Sequence, residues 1–157
     1  FMQCKLEETD FSDNAFSQTT FFKVGLSRGV FENTGFEKVI FMECDCQQLD
    51  FSRRHLVMCQ FIDCNLQASR FIESDITQSN FKGCKLQRAD FTSVTGNYAL
   101  FPEALVSGAR FVNARLAGSL WVDCTALEAD FSGAVLEQAV FHRAQLSQAK
   151  FRQCVLT

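Results

Sequence analysis

Every fifth residue of this chain holds one unbroken register from Phe1 to Leu156, and that register is built almost wholly from Phe and Leu. Of its 32 positions, 17 are Phe and nine are Leu; Cys46, Ile76, Gly96, Val106, Trp121 and Ala126 complete it. Only one of the 18 Phe, Phe22, lies elsewhere. Neither regular secondary structure accounts for such a spacing. On an α-helix five residues advance about 500°, so successive Phe would spiral to every side. On a strand an odd step sends successive side chains to opposite faces. A chain that keeps every fifth side chain inside must turn a corner once per repeat. It winds into a coil with short flat sides, whose turns stack about 4.8 Å apart like strands in a sheet.

The order of Phe and Leu decides how many sides the coil has. Three sides would alternate Phe and Leu up every column. Four sides, with a coil of 20 residues, sort them. One column then runs Phe1, Phe21, Phe41, Phe61, Phe81, Phe101, Trp121, Phe141, and the opposite one runs from Phe11 to Phe151 in the same steps. The two columns between are expected to hold Leu, Ile and smaller residues. Like stacks on like, which suits aromatic packing. Eight such coils make an all-β rod about 38 Å long.

The residue two before each centre also points inward, at a corner where space is short. Of 31 such residues, 28 are Ala, Cys, Ser, Thr, Val or Gly; Asn14, Leu49 and Arg54 are the exceptions. The residue just before the centre is often Asp or Asn, as at Asp10, Asp45, Asp50, Asn65, Asp75, Asn80, Asp90 and Asp130. Short polar side chains there can accept hydrogen bonds from backbone amides at the turn. Cys46–Leu56, with bulky Leu49 and Arg54 at corners, and Thr95–Ala104, with Gly96 as a centre and Pro102 after one, are the expected sites of distorted turns.

Ala89-Asp90-Phe91-Thr92-Ser93 and Ala129-Asp130-Phe131-Ser132-Gly133 carry the clearest form of the repeat. The pattern resembles the pentapeptide-repeat family, and the resemblance covers residues 1–157 as a single domain. It implies a right-handed quadrilateral β-helix. The chain opens on Phe1 rather than Met, as an excerpt from a longer polypeptide would.

The net charge of −3 lacks the basic excess of a nucleic-acid binder. No run of about 18 apolar residues is long enough for a membrane-spanning helix, and the first ten residues carry no signal-peptide pattern. A core packed solid with Phe and Leu leaves no pocket of the size ligands need. No phosphate-binding loop or His-Glu-x-x-His occurs, and His55 and His142 are outward and more than four coils apart. The reading is of a non-enzymatic chain without cofactor or metal. Cys4, Cys44, Cys64, Cys84 and Cys124 share one corner column, with Cys46, Cys59 and Cys154 at other inward sites. Corners need small apolar residues and Cys is among the most buried types, so the eight read as buried free thiols. Reduced cysteines favour a cytoplasmic setting.

Function is therefore sought on the outside. On the face of the Trp121 column the residues following the centres are Met2, Phe22, Met42, Ile62, Lys82, Pro102, Val122 and His142, six of them apolar. The other three faces carry one or two each. Ile40, Leu100, Leu120 and Val140 precede centres on the same face. An apolar stripe of this kind marks an interaction site. Met2, Phe22, Ile40, Met42, Ile62, Leu100, Leu120, Val122 and Val140 are its candidate residues, and a protein partner, a sister subunit in a homo-oligomer or an attached domain is the expected occupant. On the opposite face Asp50, Arg70, Asp90, Arg110, Asp130 and Lys150 alternate in sign, a ladder of exposed ion pairs. The expected function is a rigid interaction scaffold. The resemblance implies two others. One is a bacterial effector or type VI secretion component. The other is a DNA mimic that protects DNA gyrase from quinolones, which needs an acidic stripe that bases interrupt here.

Overall fold

The computed structural model describes residues 1–157 and contains no helix, so no helix is long and apolar enough to cross a membrane. Its longest paired stretches are β1 (Ala15–Ser17), β2 (Thr20–Phe22), β3 (Gly35–Glu37), β4 (Ile40–Met42) and β5 (Gln60–Ile62). β1 pairs with β3, β2 with β4 and β4 with β5, always in parallel. The register sets Phe16 opposite Phe36, and Phe21 opposite Phe41 opposite Phe61. Elsewhere single residues bridge to the residue one coil later, from Met2–Phe22 to Val135–Val155. The coil is therefore four-sided with a period of 20, as the columns require.

Backbone hydrogen bonds run along the rod in both directions. The Leu26 amide donates to Asp45 O in the next coil at 2.7 Å, and the Gly25 amide to Cys4 O in the previous one at 3.0 Å. The corner is closed locally, as where the Ala89 amide donates to Leu86 O at 3.0 Å. One amide per repeat, just after the centre, is left over at many corners. At Ser12, Gln47, Ser52, Gln67, Thr77, Lys82, Thr92 and Ser132 it donates to the side-chain oxygen of the Asp or Asn before the centre. All eight of the acidic and amide residues picked out for this role perform it.

The turn itself has a feature that the apolar register does not reveal. The second residue after every centre, from Gln3 to Gln153, has positive φ, between 48° and 71°. Twenty-seven of these left-handed residues are not glycine and four are. None is Val, Ile, Thr or Pro, the types for which that conformation is most strained.

Inside, the two Phe columns form separate stacks set at right angles. Phe71 and Phe91 stack at 4.5 Å with planes 1° apart, and Phe61 and Phe81 at 5.0 Å with planes 1° apart. Across the core Phe71 meets Phe81 edge to face at 89°. Both geometries are favourable for aromatic quadrupoles, and each ring makes both. The expectation that the columns between hold only Leu, Ile and smaller residues fails at Phe16 and Phe36. These two stack on each other at 6.0 Å and tilt the neighbouring pair Phe31–Phe51 to 23°.

The two stretches expected to distort do not. Gln48, Arg53, Met58, Tyr98 and Glu103 keep φ between 58° and 59°, like the other corners. The reason is compensation within the core. Leu49 is fully buried beside Cys46, a centre smaller than Leu or Phe, so a large corner fills the space a small centre leaves. Gly96 is closed over from both neighbouring coils: a Cβ there would lie 2.8 Å from Ile76 Cγ1 and 3.0 Å from Leu116 Cδ2.

Candidate docking face

All nine candidate residues lie on one flat side of the rod. Met2 bridges to Phe22, and β2, β4 and β5 set Phe22, Met42 and Ile62 in one row. Asn80, Leu100, Leu120 and Val140 continue the parallel row that starts at Thr20 and Ile40. Met2, Met42, Leu120 and Val140 are exposed, while Phe22, Ile40, Ile62, Leu100 and Val122 are half-buried. The side is not one continuous stripe. Gln60, Asn80 and exposed Lys82 sit together at mid-rod and divide it into two apolar patches, residues 2–62 and 100–140.

Two further residues extend these patches, and the register alone did not find them. Met58 and Tyr98 occupy left-handed corners where the chain enters this side, and they are 46% and 58% exposed. Tyr98 lies over Gly118, whose absent Cβ would stand 2.6 Å from its ring. The sequence signal was available: 27 corner residues are non-glycine, and nearly all the others are polar or charged. On the first patch Lys23 Nζ sits 5.1 Å from the Phe22 ring centroid and 3.3 Å from the Glu43 carboxylate. It covers part of the aromatic face with its charge still paired.

The opposite side carries the alternating ladder. Asp50–Arg70, Asp90–Arg110 and Asp130–Lys150 pair at 3.4, 3.9 and 3.9 Å. Shorter pairs form at the left-handed corners, one coil apart: Glu8–Arg28 at 2.7 Å, Arg53–Glu73 at 2.9 Å and Asp123–Arg143 at 2.6 Å. Hydrogen bonding and then charge from Arg143 hold the Asp123 carboxyl below its ordinary value. Hydrogen bonding by Ser132, aided by the charges of Lys150 and Arg110, does the same for Asp130.

His55 and His142 are both exposed. The cysteines are free thiols; six are buried, and Cys4 and Cys154 are half-buried. Cys44 and Cys84 turn their thiols to Phe21 O and Phe61 O at 3.3 and 3.2 Å, a weak polar contact inside an apolar column. Burial pushes Cys59 and Cys124 up to about 11. No group of three or more His, Cys, Asp or Glu is arranged to hold a metal ion. The expectation of a pocket-free molecule holds for the core and fails outside it. Projecting corner side chains enclose surface grooves of about 700, 480 and 600 Å³.

A four-sided coil with one Phe or Leu per side, small corners and solvent-facing ladders is the architecture of a β-solenoid repeat protein. The model of the pentapeptide repeat region matches residues 1–71 and 74–151, and the chain belongs to the pentapeptide-repeat family, whose right-handed quadrilateral β-helix it adopts. No curated protein matches it. Among solved structures, a trypsin-treated form of QnrB1, a plasmid-mediated fluoroquinolone resistance protein, is similar. It matches at 17% identity and a TM-score of 0.50, over 99% of this chain and 90% of that one. HetL, a pentapeptide repeat protein involved in heterocyst differentiation regulation in the cyanobacterium Nostoc sp. strain PCC 7120, is 16% identical with a TM-score of 0.48, over 100% and 86%.

Proposed function

We propose that the chain is a non-enzymatic, rigid scaffold that docks a protein partner on its Trp121 side. One observation carries the reading: four sides built on the same five-residue repeat differ in their outward residues, and only one gathers Met, Ile, Leu, Val, Phe and Tyr. Strand propensity favours such residues in β2, β4 and β5, but it does not explain Leu100, Leu120 and Val140, which form single bridges like those of the other sides. Size then decides what kind of docking this is. A side about 10 Å wide and 38 Å long offers roughly 400 Å² per partner, below the 800 Å² of a standard stable interface. The face suits a transient partner, with Tyr98, Phe22 and Met42 as its anchors, better than a permanent dimer. Against the DNA-mimic alternative, the opposite side pairs Asp50, Asp90 and Asp130 with Arg70, Arg110 and Lys150, so it presents no continuous row of negative charge.

The test is a photo-crosslinking residue placed in turn at Met42, Leu120, Gln67 and Thr92, in cells that express the chain. Crosslinks to one protein from Met42 and Leu120 but not from Gln67 and Thr92 are expected. Replacing Phe22 and Ile62 by Ser should abolish the crosslink from Met42 while the β-rich circular dichroism stays unchanged. Equal crosslinking from all four positions would refute the reading.

A further inference from the structure

The groove of about 700 Å³ lies on the side opposite the docking face and crosses three coils, within the size range of small-molecule sites. Its middle is Ser52, flanked one coil before by Glu32 and one coil after by Ile72. Four of the nine arginines in the chain, Arg28, Arg53, Arg54 and Arg70, line it. Three are held in exposed ion pairs, with Glu8, Glu73 and Asp50 respectively. Arg54 makes none. Its Nε donates to Ser52 O at 3.1 Å, which anchors the guanidinium at the groove and leaves its two terminal nitrogens without a protein acceptor.

Two features here go against the rest of the molecule. Arg54 is the only charged residue among 31 inward corner positions, where nearly every other is small. The Ser52 hydroxyl is buried without a hydrogen-bond partner. The buried serines Ser69, Ser74 and Ser79 each donate to a carbonyl, and Ser119 accepts from Trp121 Nε1. A half-buried guanidinium with spare donors and an orphaned hydroxyl are both unfavourable on their own, and both are relieved by one acceptor between them.

We infer that this groove is a binding site for an oxyanion, a carboxylate or a phosphate. Arg54 meets it with its planar fork, and the Ser52 hydroxyl turns about χ1 from its buried position to donate from the floor. Guanidinium matches both anions bidentately, which an ammonium does not. Arg28, Arg53 and Arg70 are in surface pairs that contribute little, so they can turn toward a bound anion at small cost. Two lining carboxylates oppose binding, Asp50, which is paired with Arg70 and accepts from the Ser52 amide, and Glu32. Glu32 has no cation partner, and it limits the charge the groove accepts.

The experiment is a titration of the 157-residue chain with pyrophosphate or citrate at constant ionic strength, read from the arginine Nε–Hε signals by NMR. Saturable shifts are expected at Arg54, with Arg88, Arg115 and Arg152 unmoved. Tighter binding of pyrophosphate assigns the site to phosphates, and tighter binding of citrate to carboxylates. Arg54→Gln should weaken binding by about tenfold or more, the scale of one charge-assisted bidentate contact. Glu32→Gln, at an exposed position that does not touch the core, should strengthen it. No saturable shift by roughly 10 mM, a weak-binding limit, would overturn the proposal. So would shifts spread over all arginines, or indifference to both substitutions.

Discussion

Gln78 illustrates what each corner asks of a single residue. Its φ is 56°, its side chain is exposed, and its amide donates to Asn97 O at 3.0 Å. Holding a non-glycine residue in the left-handed region costs about 1–2 kcal/mol. Burying the Phe or Leu that the corner allows inside returns about 1.5–3 kcal/mol. The repeat tolerates the strain because every corner comes with a buried centre. Glycine removes the strain but costs about 0.5–1 kcal/mol in chain entropy. Gln78→Gly should therefore raise stability by about 0–1.5 kcal/mol, seen as a small rise in the urea midpoint. Gln78→Val, with a branched Cβ at positive φ, should lower stability by more than about 1 kcal/mol. A stable valine variant would show that the corner is softer than its φ implies.

At the scale of one coil side, size is shared between neighbours rather than set residue by residue. Gly96 shows it, since Ile76 and Leu116 from the coils on either side fill its place. Gly96→Ala pushes a methyl against both and should cost about 1–3 kcal/mol by overpacking. Combined with Ile76→Ala, which removes the contacting Cγ1 and Cδ1, the added cost should fall, and a double-mutant cycle would measure that coupling. The same sharing explains what was legible beforehand. Columns, coil length, inward corners and the eight Asp and Asn caps follow from spacing, because each repeats at a fixed interval. Leu49 with Cys46, and Gly96 with its neighbours, read as defects, because compensation runs between residues three or 20 apart and spacing is blind to volume. The left-handed corners went unread because the signal is an absence, no β-branched residue in 31 places. Met58 and Tyr98 go unread with them, so the apolar side reads one corner too narrow.

For the whole molecule, each coil touches only its two neighbours, so stability is close to a sum over coils and their interfaces. Removing residues 62–81 takes out one full coil and leaves every column in register. Such a chain should fold, with unchanged circular dichroism per residue and a lower unfolding midpoint. Removing only residues 77–81 places Leu86 over Phe61, Phe91 over Leu66 and Phe101 over Ile76 at the junction, while the later coils keep their register with one another. It also moves the apolar side round by one corner. That variant should lose several kcal/mol, since one whole coil interface exchanges stacked rings for mismatched packing, at about 1–3 kcal/mol per overpacked site. Equal stability of the two deletions would contradict a core ordered by columns.

Because the amides of every coil point along the rod, the hydrogen bonds lie parallel to any force applied between its two ends. Such a load meets one coil's bonds at a time rather than all of them together. A coil that peels away turns a rise of about 4.8 Å into an extended tether of roughly 66–72 Å. The rod is thus a stiff spacer under compression or bending, while under tension it gives way in steps of one coil, lengthening more than tenfold at each step and leaving the remaining coils packed as before.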